Sequence, residues 1–170
     1  MKKLVVLISL SIITLLTGCS LKQPQSADEF RLAAPTAFLA KKESYVVNRP
    51  YKKVSKAFKK QAPKCLSARI RTESRSNTSY SVVVTKYNPT VKVTKGRTEL
   101  HLQQMHEQGV MHVSEVPKKG YFLMVVDAIP VSKNKTRIDY YGPSMSVDNI
   151  TKAIKGWATG KNMGCPDLTK

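Results

Sequence analysis

Three histidines and two methionines fall within twelve positions: His101, Met105, His106, Met111 and His112. Imidazole and thioether together suit a copper ion. Spacings of five and six, however, place a turn between two strands, so His101 and His112 meet in only one hairpin register. Histidines are also common on a solvated sheet face, and no metal and no cofactor is assigned. Serine-based hydrolysis needs a serine, a base and an orienting acid in one place, and Gly-x-Ser-x-Gly does not occur. Glycoside cleavage needs two placed carboxylates. Glu99, Glu107, Glu115, Asp127 and Asp139 show no paired spacing. A glycine-rich phosphate loop is absent as well. No residue is assigned a catalytic role, and the chain reads as a binding module, not an enzyme. Asp127 is the oddity among the acids. It interrupts the most apolar run, where it must pair with a Lys or Arg across the sheet or cap the strand's far end.

The other chemistry is charge. The 170 residues hold 29 Lys+Arg against 11 Asp+Glu, a formal net charge of +18. Such a balance favours anionic neighbours: lipid head groups, acidic cell-wall polymers, nucleic acid or an acidic protein. The lysines are scattered, and no aromatic–basic stacking pattern for single strands is present, which argues against nucleic acid. One cluster has helical spacing. Pro50 suits a helix start, and Tyr51, Val54, Phe58 and Ala62 recur on one face. Lys52, Lys53, Lys56, Lys59 and Lys60 fill the other, a candidate anion-binding face. More often such a face is the solvated back of a helix that buries Tyr51, Val54 and Phe58 against a sheet; it also reads as a membrane-surface helix, and the two readings can coexist.

The amino terminus carries a sharper signal. Met1-Lys2-Lys3 precedes an apolar run, Leu4–Leu16, of 13 residues. About 20 apolar residues are needed to span a bilayer, whereas this run has the length of a signal-peptide core. It ends in Leu16-Thr17-Gly18-Cys19, which resembles the lipobox of bacterial lipoproteins. The resemblance implies a diacylglyceryl group on the Cys19 sulfur and cleavage before Cys19. It usually implies a third acyl chain, such as palmitate, on the new amino group. Two or three chains, at about 0.8 kcal/mol per buried CH₂, make a lasting membrane anchor. Ser20, in place of the aspartate that retains such proteins in the inner membrane, implies sorting to the outer membrane, facing the periplasm.

Removing residues 1–18 leaves a chain of 152 residues with 27 basic and 11 acidic side chains. With Cys19 lipidated and the compartment oxidising, Cys65 and Cys165 remain as an even pair, so a disulfide is expected. Residues 19–42 read as a lipidated cysteine and flexible tether, interrupted by Pro24 and Pro35. About 23 such residues reach roughly 80 Å extended and average about 25 Å as a coil. Residues 43–170 read as one domain.

Within that domain Tyr45–Val47 predicts a short strand, and the lysine-faced helix follows, ended by Pro63. Arg71–Asn77 reads as a loop or ragged hairpin end. Strands are expected over Tyr80–Tyr87, Val91–Val93, Thr98–Gln104, Val110–Val116, Tyr121–Ile129 and Thr136–Tyr141, with turns at Asn88-Pro89 and Lys119-Gly120. A last helix is expected after Ser146 as N-cap, with Val147, Ile150, Ile154 and Trp157 on its apolar stripe and Gly160 as its stop. The fold class is therefore α+β: an antiparallel sheet of about five to six strands, with two helices packed on one face, in strand–helix–strands–helix order. That order over Tyr45–Cys165 loosely resembles helix-grip modules, including those of the lipoprotein C subunit of the outer-membrane β-barrel assembly machinery. The likeness lies in element order and brings no functional residues with it. The expected function is a membrane-anchored envelope binding or scaffolding module, its partner an acidic envelope protein, a lipid head group or a cell-wall polymer. The rivals are an envelope enzyme or accessory domain of one, and a surface-displayed binder of anionic ligands.

Overall fold

The computed structural model describes residues 23–76, 80–107 and 116–169. Cys19 and its leader, Met111, His112, and all but the last residue of the strand expected over Val110–Val116 lie outside them. The described chain is α+β. Helix α1 (Ala27–Ala33) runs into a 3-10 turn (Ala34–Thr36), followed by β1 (Ala40–Val47), α2 (Tyr51–Leu66), β2 (Ala68–Arg75), β3 (Tyr80–Thr94), β4 (Arg97–His106), β5 (Tyr121–Ser132), β6 (Lys135–Pro143) and α3 (Asp148–Thr159). The six strands form one antiparallel sheet in the order β1-β6-β5-β4-β3-β2. Among the described residues three helices are present where the sequence predicts two, and the order opens on a helix.

Strand alternation sets the layers. Leu100, Leu102, Met124, Val126, Ala128, Ile138 and Tyr140 point to one face, where Val54, Phe58, Ala62 and Leu66 of α2 and Ile150, Ile154 and Trp157 of α3 complete the core. Thr98 and Thr136 are polar exceptions on that face, and Thr136 Oγ1 donates to Arg49 O at 2.8 Å. For Thr98 the partners lie on α2. Its Oγ1 lies 2.8 Å from Ser55 Oγ and 3.0 Å from Tyr51 Oη, so burial leaves it partnered. Helix α3 begins at Asp148 with Val147 as its cap, not Ser146, which adopts φ 65° and makes no side-chain cap. Gly160, at φ 90°, ends it in the left-handed conformation that glycine tolerates. Arg49 Nη1 donates to Trp157 O at 2.5 Å, adding a cation where the helix dipole is negative.

Several strand and helix limits differ from expectation. Tyr80–Thr94 is one strand, and Asn88-Pro89 is no turn. Beyond Tyr87, β3 has lost its β2 neighbour and among the described residues pairs only with β4, Pro89 facing Leu102. A missing N–H costs little where one edge is open. Arg71–Asn77 is no loop through Arg75, which instead pairs with Tyr80 in an edge strand. Charged side chains on an open edge are how sheets protect such strands. Pro63 lies inside the last turn of α2, which continues to Leu66 and so includes Cys65.

Candidate functional site

The two faces of the sheet carry opposite chemistry. On the outer face, away from α2 and α3, Glu99 of β4 sits opposite Asp127 of β5, which sits opposite Asp139 of β6. Three carboxylates in a row repel one another and need cations. Arg137 Nε supplies Asp139, at 3.1 Å. The rest comes from α1. Arg31 donates from Nε to Asp127 Oδ2 at 2.9 Å and from Nη2 to Asp127 Oδ1 at 2.6 Å. The same Nη2 lies 2.9 Å from Glu99 Oε2, and Nη1 donates to Asp28 Oδ1 at 2.6 Å. The fork geometry of guanidinium is what permits this bidentate grip. The side chain of Asp127 is only 2% exposed and that of Arg31 11%. Phe30 packs on Phe122 at 5.8 Å, and Phe122 meets the edge of His101.

Sequence reasoning missed Arg31, because Ala27–Ala33 lay in the supposed tether. A signal was there. Ser26-Ala27-Asp28-Glu29 has capping-box spacing. Ser26 Oγ accepts from Glu29 N at 3.2 Å, and Glu29 Oε2 accepts from Gln25 N at 2.8 Å. Asp127 does pair with an arginine, but one from a helix, not from across the sheet.

His101 is 4% exposed, and its Nε2 lies 2.9 Å from Glu99 Oε2. His106 turns elsewhere, its Nδ1 3.1 Å from Thr85 Oγ1. Among the described residues no three His, Cys, Asp or Glu side chains gather as a metal would need. Burial pushes the His101 imidazole below its usual value, outweighing the raising effect of Glu99. Burial raises the Glu99 carboxyl, but hydrogen bonds from Arg31 and His101 hold it below the ordinary carboxylate range. Both shifts act in one direction. A depressed imidazole makes protonation favour the unfolded chain, so stability falls as pH drops below about 6.5. A depressed carboxylate adds a second loss as pH drops below about 4.3. The protection of α1 against amide exchange, taken relative to the intrinsic rate at each pH, is expected to fall between pH 7 and 5, and His101→Asn to flatten that dependence. An unchanged profile in the variant assigns the acid sensitivity elsewhere.

The helix layer is rich in lysine and poor in acids. Lys52, Lys53, Lys56, Lys59 and Lys60 are all exposed on α2, joined there by Lys64. The sequence of α2 contains no acid. Beside it, α3 adds exposed Lys152 and Lys155, with Asp148 its one acid. Among the described residues none of the six α2 lysines forms an ion pair. A cavity of about 190 Å³ opens between β1, β6 and α3, lined by Lys41, Glu43, Tyr45, Tyr140, Lys152 and Lys155 among others. Lys155 Nζ stands 5.2 Å from the Tyr45 ring centre and Lys41 Nζ 5.8 Å from that of Tyr140, cation–π distances. Burial raises the Tyr45 phenol to about 12, keeping it protonated. Tyr140 is buried and donates to Pro143 O at 2.9 Å.

Cys65 and Cys165 are joined by a disulfide with Cα atoms 4.8 Å apart. The bond ties the last turn of α2 to the segment after α3.

No family model matches the chain, and no curated protein matches it. Among solved structures, that of an uncharacterized protein from Bacillus thuringiensis aligns over 71% of this chain and 96% of its own, at 9% identity and a TM-score of 0.30. A likeness that slight carries no functional argument.

Proposed function

We propose that this protein is a lipid-anchored component of the bacterial envelope that works by binding, with the lysine face of α2 and α3 as its anion-binding surface. The anchor rests on Leu16-Thr17-Gly18-Cys19 and the apolar run before it. The binding surface rests on one observation. The lysines of α2 and α3 share one exposed layer while Glu99, Asp127 and Asp139 lie on the opposite side of the sheet. Segregated charge makes a field that a scattered surface does not. Ser20 supports outer-membrane sorting, with the domain on the periplasmic side.

Two experiments test the reading. Mass spectrometry of the native protein is expected to find a chain starting at lipidated Cys19; a retained Met1 overturns the anchor. The Cys19→Ser chain is expected to bind phosphatidylglycerol vesicles at low salt and to release as salt rises. Each lysine near an anionic surface is worth about 1 kcal/mol. Replacing Lys52, Lys56 and Lys59 together by Gln is then expected to weaken binding about 100-fold. Equal affinity in the triple variant removes α2 as the binding face.

A further inference from the structure

Resting on that reading, we propose that the docked α1 turns the lysine face away from the bilayer holding the anchor. The anionic partner is then met in trans, as an acidic polymer of the envelope, not as head groups of the anchoring membrane.

Helix α1 lies on the outer face of the sheet, fixed by Arg31 to Asp127 and Glu99, while the lysines of α2 and α3 lie on the other side. With α1 docked, the sequence between Cys19 and α1 is Ser20–Ser26. Seven residues span at most about 25 Å. A domain of this length has a radius of gyration of about 14 Å, hence a diameter of about 36 Å and a path from one face round to the other of about 55 Å. The shortfall of about 30 Å is several Debye lengths. Undocked, Ser20–Leu39 spans up to about 70 Å, and the lysine face reaches the membrane. Docking of one short helix therefore decides which anions the lysines meet.

A further feature agrees. The strap formed by α1 and the turn after it exposes Leu32 by 79% and Phe38 by 91%, apolar groups that an adjoining bilayer interface accommodates.

The test uses the lipidated full chain with Lys56→Cys carrying a fluorophore, in phosphatidylglycerol vesicles containing nitroxide head-group lipid. The native tether is expected to lose less than about a tenth of its emission, the label standing beyond screening range of the surface. A variant with twenty Gly/Ser residues inserted after Ser20, which leaves the domain untouched, is expected to lose most of it. Deep quenching of the native tether overturns the proposal. If neither form is quenched, the lysine face has no affinity for anionic lipid and the anion-binding reading itself fails. As the trans arm, fluorescent polyglutamate is expected to bind the native chain on neutral vesicles within about twofold of its affinity for soluble Cys19→Ser. A tenfold loss on the vesicles also overturns the proposal.

Discussion

Arg31→Ala is expected to cost about 3 kcal/mol of stability, lowering Tm by about 10 °C, and to leave α1 unprotected from amide exchange. The substitution strips the only cation within bonding distance of Asp127 among the described residues and leaves its 2%-exposed carboxylate facing Glu99. Breaking one side of a buried ion pair typically costs 3–5 kcal/mol, because the other charge stays desolvated. The lower end applies here. A seven-residue helix at the surface can lift off and let water reach both acids, which caps the loss. Arg31→Lys is expected to recover only part, since an ammonium cannot grip Asp127 from two nitrogens while holding Glu99 and Asp28. Calorimetry and amide exchange read the two consequences separately. Unchanged α1 protection in Arg31→Ala means that Phe30 on Phe122, not the ion pair, holds the helix down.

Cys165→Ser is expected to destabilise the domain by about 3 kcal/mol. A bond closing a loop of about 100 residues is worth up to about 4.7 kcal/mol in the chain-entropy account, and measured values are commonly smaller. The segment after α3 is also held by Trp157 Nε1 donating to Gly164 O at 3.2 Å and by Leu168 packed against the core, so the loss is partial. Cys165 is the side to change, because Cys65 is buried and a hydroxyl there adds its own penalty. Thermal melts of the variant and of dithiothreitol-treated native protein are expected to coincide. A Tm within a degree or two of the oxidised protein refutes the staple.

The elements with strong periodicity were legible: the lysine-faced helix, the alternation of Thr98–Gln104, the apolar run from Tyr121 and the stripe ending at Gly160. The disulfide followed from counting. What escaped depended on contacts distant in the chain. Ala27–Ala33 is too short for its own periodicity to stand out, and it is held by Asp127, 96 positions away from Arg31. The same holds for Pro89, which reads as a turn until the early end of β2 is known. At the candidate site, the lysines were visible as a helix face. Their separation from the carboxylates was not, because only strand pairing aligns Glu99, Asp127 and Asp139.

Among the described residues both rims of the sheet are open, at β1 and at β2. Arg69, Arg71, Glu73 and Arg75 alternate with short side chains along β2, and Lys41, Lys42 and Glu43 lie together on β1. Molecules confined to a surface collide at high local density, where exposed rims invite copies to zip together into fibrils. A second copy adding a strand at either rim must desolvate these charged side chains and break the ion pairs Arg71–Glu73 and Lys41–Glu43. Charged rims of this kind oppose strand addition between copies.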